Sequence, residues 1–171
     1  MQTVRRANLT DADALGSVEV RAWQAVHRGD LDDDWLDGLD PVAAAEVWRE
    51  ELRDPGSGRE LFVAIDAGAV VGFAAVGRSR DRGATPATGE VQALVLIPDV
   101  WGRGLASDLL AEVTDHLADQ GFSDVTAWVP ERNDRARRFY AERGWYEDGE
   151  RSVDDHDGHQ IARVRVRRPL G

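Results

Sequence analysis

A strand, a turn with two glycines and an amphipathic helix follow one another without interruption around residues 94–106. The helix carries apolar residues at the spacing of one packed face, namely Leu105, Leu109, Leu110, Val113 and Leu117. Its start has no Ser, Thr, Asn or Asp to cap the first amide hydrogens. Gly102 and Gly104 would let a ligand approach the backbone, and the positive end of the helix favours an anion. The segment therefore indicates a phosphate-binding turn, although two glycines also suit a plain strand-to-helix connection.

Two other phosphate-binding motifs are absent from the sequence. A dinucleotide-binding fold needs Gly-x-Gly-x-x-Gly early in the chain with an acidic residue about 20 positions later, and a P-loop needs Gly-Lys-Ser/Thr. The chain has neither pattern, and all of its strongly basic residues are arginines. Nicotinamide-dinucleotide and P-loop chemistry are therefore not expected.

The turn segment resembles motif A of the GNAT superfamily of acyl-CoA-dependent N-acetyltransferases, where a strand ends near a proline and leads into Arg/Gln-x-x-Gly-x-Gly/Ala. Gly104 and Ala106 match this frame, whereas Trp101 stands where the family usually has Arg or Gln. A second block resembles the later signature Asn-x-x-Ala-x-x-Phe-Tyr followed by Gly-aromatic, and it comprises Asn133, Ala136, Phe139, Tyr140, Gly144 and Trp145. The blocks have the family's order and separation, and the resemblance covers about residues 1–168.

Hydrophobic periodicity and turn residues predict a single α/β domain over residues 1–171. Strands are predicted at 4–7, 61–65, 69–76, 90–97, 124–129, 146–152 and 161–168. Helices are predicted from a cap at Thr10 or Asp11 to 27, and at 31–39, 41–52, 105–120 and 134–143. The main loops are expected at 54–58, 78–89 and 154–159. The resemblance implies a GNAT-like mixed, mostly antiparallel central sheet of about seven strands with helices on both faces, in which strands 90–97 and 124–129 splay apart around the pantetheine arm.

Length and composition limit the remaining classes of function. The chain has 171 residues, 42% of them hydrophobic, which suits one globular domain. No run approaches 18 apolar residues, and the first six residues lead into a strand pattern, so a cytoplasmic protein without membrane contact is expected. The absence of cysteine excludes disulfides, thiolate metal sites and a covalent cysteine mechanism. Acyl transfer would then be direct or pass through a hydroxyl.

The charge is strongly acidic and unevenly distributed. The net charge is −11, which argues against nucleic acid as a partner. Residues 11–60 hold 14 acidic residues and 5 arginines, whereas residues 132–143 hold 5 arginines and 2 acidic residues. The acidic segment can attract a cationic substrate or can simply be a solvated surface.

The resemblance implies a site for acetyl-CoA, the acyl donor, along the first motif. The main chain of Leu94, Val95 and Leu96 would bind the pantetheine and polarise the acetyl carbonyl. Pyrophosphate would lie on the turn formed by Trp101, Gly102, Arg103, Gly104, Leu105 and Ala106. Asn133 matches the asparagine that bonds the CoA arm, although it can equally be a helix cap. Arg103 could supply the charge missing at Trp101, and Arg135, Arg137 and Arg138 are further candidates for the phosphates.

Acyl transfer to an amine needs a proton acceptor for the amine and a proton donor for the leaving thiolate. Tyr140 matches the family's signature tyrosine, whose hydroxyl can protonate the thiolate, although a tyrosine on such a helix can also be a core residue. Glu90 lies where many members of the family keep a carboxylate that accepts the amine's proton. It could otherwise be a solvated glutamate at the start of a strand.

Three residues of the first helical segments, Trp23, His27 and Trp35, are candidates for the acceptor pocket, since the family builds that pocket there. His27 could instead be a helix-end residue. The loop with His156 and His159 is rich in aspartate, but it lacks a ligand spacing typical of metal sites, so no metal is expected.

The sequence therefore predicts an enzyme that moves an acetyl group from acetyl-CoA to a primary amine by direct attack in a ternary complex. A small cationic amine is the expected acceptor, and a homodimer is possible because dimers are common in the family. Two alternatives stay open: acetylation of a protein or peptide, and a non-catalytic module that binds or sequesters acyl-CoA.

Overall fold

The computed structural model describes residues 1–54, 56 and 58–171. Pro55 and Ser57 of the predicted loop 54–58 lie outside the described residues. The strands are β1 Gln2–Arg6, β2 Glu60–Asp66, β3 Ala69–Arg78, β4 Thr88–Leu96, β5 Asp124–Pro130, β6 Tyr146–His156 and β7 His159–Pro169. The helices are α1 Ala12–Val26, α2 Asp33–Asp37, α3 Pro41–Arg53, α4 Leu105–Asp119 and α5 Asp134–Ala141. In the part of the chain that the structure describes, no helix is long and apolar enough to cross a membrane.

The seven strands form one sheet in the order β1-β2-β3-β4-β5-β7-β6. All neighbours are antiparallel except β4 and β5, which are parallel. Their pairing begins at Thr88 opposite Asp124 and ends at Val91 opposite Ala127. Both strands continue beyond that point, β4 to Leu96 and β5 to Pro130. The two strands therefore diverge, and the edge of β4 is left without a strand partner on that side among the described residues.

Helices cover both faces of the sheet. Phe62 of β2 meets His116 of α4, with ring centroids 5.3 Å apart. Phe62 pairs with Ala74, and the next residue along β3, Phe73, points to the opposite face because side chains alternate along a strand. There Phe73 meets Trp48 of α3 at 5.0 Å. This confirms the mixed, mostly antiparallel sheet with a helical layer on each side.

The core is continuous across the sheet and buries the apolar face of α4. All five residues predicted for that face are at most 3% exposed, namely Leu105, Leu109, Leu110, Val113 and Leu117. On the other face, Leu15, Val18 and Ala22 of α1 are also buried, as their spacing predicts. The helices are thus fixed on the sheet by burial of one stripe each.

Two local predictions are wrong. Asp11 occupies the N-cap position of α1 but makes no capping bond with its side chain, which instead closes a capping box with Asn8 and pairs with Arg5 at 2.8 Å. The predicted loop 154–159 is mostly strand, because β6 and β7 meet at a two-residue turn. Asp157 and Gly158 there have φ of 53° and 84°, the conformation that such tight hairpin turns require.

Candidate functional site

A cleft of about 490 Å³ opens where β4 and β5 diverge. Helices α4 and α5 border one end of it, and the C-terminal turn of α1 borders the other. The sequence-predicted site residues that line it are Trp23, His27, Leu94, Val95, Leu96, Trp101, Gly102, Gly104, Ala106, Asn133 and Tyr140. Four other predicted site residues, Glu90, Trp35, Arg103 and Leu105, are not part of this lining. The cleft therefore unites the two sequence blocks with the end of α1.

The unpaired edge of β4 presents backbone groups to the cleft. The Ile97 N–H donates to the Val71 carbonyl of β3 at 3.0 Å. Backbone groups alternate between the two edges of a strand, so those of Val95 face β3 as well, and those of Leu94 and Leu96 face the gap. The Leu96 carbonyl already accepts the indole N–H of Trp101 at 3.0 Å. Leu94 is thus the residue of this edge whose backbone is directed at the cleft without a strand partner.

The turn before α4 matches what a phosphate site needs. Gly102 and Gly104 have φ of 79° and 83°, and a Cβ added to either would meet no atom within 4 Å. No side chain caps α4, and its first internal bond runs from the Asp108 N–H to the Gly104 carbonyl at 3.1 Å. The preceding amides of the first turn therefore point away from the helix ladder, where an anion can accept their hydrogens.

Trp101, the residue that departs from the family frame, is held in place from two sides. Its indole N–H bonds to β4, and the guanidinium of Arg135 on α5 lies over its ring, 4.5 Å from the centroid. Arg135 is exposed and lines the cleft. A positive charge is therefore present beside the glycine turn, but it comes from α5 and not from the motif itself.

The other arginines considered for phosphate are placed differently. Arg103 pairs with Asp66 at 3.2 Å, so its charge is directed to the end of β2. Arg137 makes two bonds with Glu147, at 2.8 and 2.9 Å, and Arg138 is an exposed residue of α5. Among these candidates, Arg135 alone lines the cleft.

Helix α5 brings Asn133 and Tyr140 to the cleft. The Asn133 side chain accepts the Ala136 N–H at 3.0 Å, so it is the N-cap of α5. Asn133 also lines the cleft. Tyr140 is 6% exposed and packs edge-on against Phe139 and Trp145, with centroids 5.4 and 5.0 Å away. Burial raises the pKa of the Tyr140 hydroxyl, which is therefore a proton donor at neutral pH.

Glu90 lies inside β4, as its third residue, and not at the start of the strand. The residue is 9% exposed, and its carboxylate accepts the Ser79 hydroxyl at 3.3 Å and the Arg80 N–H at 3.4 Å. Burial, with the nearby charge of Asp81, raises the pKa of Glu90. The carboxylate sits just before the point where β4 and β5 separate, on the sheet face that α1 covers.

The end of α1 carries Trp23 and His27, whose rings lie 4.6 Å apart. The β6–β7 hairpin packs onto the same region, where His156 meets Trp23 edge-on at 4.6 Å. His159 of the hairpin stacks on Trp35 at 4.5 Å. Trp23 and His27 therefore face the cleft, while Trp35 lies behind them under the hairpin.

Sequence reasoning missed several residues of the cleft lining, among them Arg143, and a carboxylate of α1 outside the lining, Glu19. Arg143 lines the cleft and connects α5 to α4, since its Nε donates to the Ser107 hydroxyl at 3.1 Å. Glu19 lies one helical turn before Trp23, and its carboxylate accepts the Trp48 indole N–H at 2.7 Å. Burial raises the pKa of Glu19. The four-residue spacing of Glu19, Trp23 and His27 is the signal that could have grouped them on one face of α1.

The two histidines of the hairpin have side-chain partners within the protein. His156 is 2.6 Å from Asp154, and its ring packs on Trp23. The described residues include no group of three His, Asp or Glu side chains placed to hold a metal ion.

Comparison with protein families shows which family this chain matches. Residues 21–145 match the model of the acetyltransferase (GNAT) family. An uncharacterized N-acetyltransferase of Bacillus subtilis, YuaI, is 32% identical over 136 residues, which are 78% of this chain and 74% of that protein. An uncharacterized N-acetyltransferase of Mycobacterium tuberculosis strain H37Rv is 31% identical over 160 residues, or 93% and 98% of the two chains.

Solved structures share the whole fold. The PaiA N-acetyltransferase from Thermoplasma acidophilum, solved in complex with coenzyme A, superimposes with a TM-score of 0.75 at 17% identity, covering 99% of both chains. A putative acetyltransferase from Salmonella typhimurium, yncA, solved with its cofactor acetyl-CoA, has a TM-score of 0.74 at 21% identity, covering 100% of this chain and 95% of that one.

Proposed function

Because the chain belongs to the acetyltransferase (GNAT) family, we propose that it transfers an acetyl group from acetyl-CoA to a primary amine within the cleft between β4 and β5. A cationic small molecule is the proposed acceptor. A cytoplasmic location and a homodimer stay predictions from the sequence and the resemblance.

One observation carries the proposal: the divergence of β4 and β5 begins after Val91 and leads to the uncapped start of α4. The cleft is long enough to be bordered by α1 at one end and by the glycine turn at the other. An extended donor with a phosphate group at one end suits that arrangement. Arg135 adds a positive charge beside the turn, which favours a phosphate further.

In this proposal, groups of the chain itself stabilise the carbonyl oxygen and donate the proton that a direct transfer needs. Acetyl-CoA brings an activated thioester carbonyl. The Leu94 backbone amide, on the free edge of β4, is placed to donate a hydrogen bond to the carbonyl oxygen as negative charge develops there. Tyr140 donates a proton to the departing sulfur. Tyr140 lines the cleft, from which its proton can be replaced by solvent.

The role of Glu90 as the proton acceptor stays a prediction from the sequence. Its raised pKa suits a base, but its carboxylate is turned toward Ser79 and Arg80 and does not line the cleft. A proton from the amine would have to reach Glu90 through water.

The part of the cleft at the end of α1, which we propose binds the acceptor, belongs to the acidic segment 11–60 and contains aromatic rings. Trp23 lines that part of the cleft, and the face of an indole ring attracts a cation. The Trp128 ring also lines the cleft, but the guanidinium groups of Arg163 and Arg165 already lie 5.2 and 5.7 Å from its centroid. The carboxylate of Glu19 lies one turn along α1 from Trp23, and Asp30 follows the helix. Both features support a cationic acceptor, because negative charge around a cleft concentrates the opposite ion.

Thiol release from acetyl-CoA in the presence of spermidine, kanamycin, single amino acids and short peptides tests this function. We expect the highest kcat/KM for an amine with more than one positive charge, and we expect kcat/KM to fall as salt is raised, since ions screen the steering field. A best acceptor that is anionic, or capture independent of salt, would show that the acidic segment is only a solvated surface. A best acceptor among the peptides would favour the protein-acetylating alternative.

A further inference from the structure

His27 is a buried imidazole whose surroundings leave its polar atoms to the cleft. The residue is 6% exposed and lines the cleft. One side of the ring packs on Trp23, 4.6 Å away. Among the described residues, none makes a hydrogen bond with the His27 ring, and its nitrogens are not among the buried polar atoms that lack a partner. The ring nitrogens are therefore open to molecules that enter the cleft.

The backbone fixes where this ring can lie. The His27 N–H donates to the Trp23 carbonyl, and its own carbonyl accepts the N–H groups of Asp30 and Leu31, each at 3.0 Å. Asp30 then reaches Arg132, 3.5 Å away, in the segment that leads into α5. This ion pair links the segment after α1 to the segment before α5. The backbone of His27 is thus fixed at the end of α1, where its ring lines the cleft.

The electrostatic surroundings favour the neutral imidazole. Burial lowers the pKa of His27, and the nearby His156 of β6 lowers it further, while Asp30 raises it. The Asp30 carboxylate also pairs with Arg132, and the His156 ring also pairs with the carboxylate of Asp154. A neutral imidazole carries one free lone pair, which can accept a proton at physiological pH.

We propose that His27 contacts the acceptor amine and takes its proton during acetyl transfer. The inference rests on the proposed function and goes beyond the acceptor-binding role expected from sequence. As the amine nitrogen forms its bond to the acetyl carbon, one N–H proton passes to the free ring nitrogen of His27. The carbon–sulfur bond breaks, and the sulfur receives a proton from the Tyr140 hydroxyl. Exchange with solvent returns His27 and Tyr140 to their starting states.

Glu90 is the other candidate for the proton acceptor and can be compared with His27. It is as buried as His27, but its carboxylate has protein partners and does not line the cleft. If His27 is the first proton acceptor, the amine needs no contact with Glu90. The two residues can then be separated by experiment, because each substitution removes only its own titrating group from the pH profile.

The test is kcat/KM as a function of pH with the best amine of the panel named above, for the wild type, His27→Gln, Glu90→Gln and His116→Gln. His116 is the control, since it lies on α4 at the other face of the sheet and pairs with Glu60. The wild-type rate should fall as pH drops through a value below the ordinary histidine pKa, because protonation removes the lone pair. His27→Gln should be about 10²-fold slower at neutral pH and should lack this limb. Glu90→Gln and the control His116→Gln should keep it.

A second substitution at the same position tests whether a loss of activity is caused by misfolding. His27→Phe keeps a ring against Trp23, and both His27 variants should retain the rise in melting temperature that acetyl-CoA gives the wild type. A pH limb that persists in His27→Gln but disappears in Glu90→Gln overturns the assignment of His27. An absence of wild-type turnover with every amine contradicts the proposed function itself.

Discussion

Replacing Gly104 by valine is expected to weaken acetyl-CoA binding by about 10²-fold or more. Gly104 holds a left-handed φ of 83° at the start of α4, and the space in front of its Cα is open. A valine would place methyl groups where phosphate oxygens must approach the first amides of the helix. Losing one or two charge-assisted hydrogen bonds of about 1.5–3 kcal/mol each accounts for this loss of affinity. Titration of the melting temperature with acetyl-CoA measures it.

The matched control is Gly121→Val at the other end of α4. Gly121 has a φ of 93° and equally open space, so both variants carry the same backbone strain of about 1–2 kcal/mol. Gly121 does not line the cleft. The control should be destabilised but should still gain about 2.7 kcal/mol at 100 times the dissociation constant, like the wild type. Equal affinities in the two variants would place the phosphate site elsewhere.

Changing Tyr140 to phenylalanine is expected to lower turnover by about 10²-fold while leaving acetyl-CoA affinity almost unchanged. The substitution keeps the ring that packs on Phe139 and Trp145 and removes only the hydroxyl. Because burial raises the pKa of this hydroxyl, it stays protonated throughout the range of a normal assay. The loss should therefore be similar at every pH tested, unlike the loss in His27→Gln.

The second tyrosine of the chain serves as the control. Tyr146 begins β6 and is 52% exposed, so Tyr146→Phe should leave kcat and KM as they are. If Tyr140→Phe stays within twofold of the wild type, water or another group protonates the thiolate.

Local patterns predicted the frame of the site well because they depend on neighbours in sequence. The spacing of apolar residues along α4 is set by the helix period, and the glycines at 102 and 104 are required by backbone conformation. The divergence of β4 and β5 was available only through the family resemblance. Nothing in residues 90–97 themselves indicates that pairing stops at Val91.

The errors arise where distant parts of the chain decide the structure. The polar residues 154–159 are typical of a loop, but His156 and His159 pack on Trp23 and Trp35 from the other end of the chain. The Arg103 guanidinium pairs with Asp66 of β2, a contact that its neighbours in sequence do not indicate, and its role toward phosphate stays a prediction.

Glu90 shows the same limit of sequence reasoning. Its surroundings depend on how residues 78–89 fold back over the sheet, where the Ser79 N–H donates to the Thr88 carbonyl at 2.9 Å. This fold of residues 78–89 brings Ser79 and Arg80 to the Glu90 carboxylate. The carboxylate is therefore directed toward these two residues and not toward the cleft. His27, treated from sequence as an acceptor-pocket residue, gains its proposed role from its position on the cleft and from the absence of a hydrogen bond to its ring among the described residues.

Mass spectrometry of both the amine and the protein, after incubation with acetyl-CoA carrying a deuterated acetyl group, tests the central claim most directly. The claim is that the acetyl group moves straight from acetyl-CoA to a primary amine in the cleft. Labelled N-acetyl amine should form, no label should remain on the protein, and Gly104→Val should form far less product at limiting acetyl-CoA. Stable label on a hydroxyl such as that of Ser107, transferred later to the amine, would contradict direct attack. Binding of acetyl-CoA without labelled product from any amine of the panel would contradict the enzymatic function.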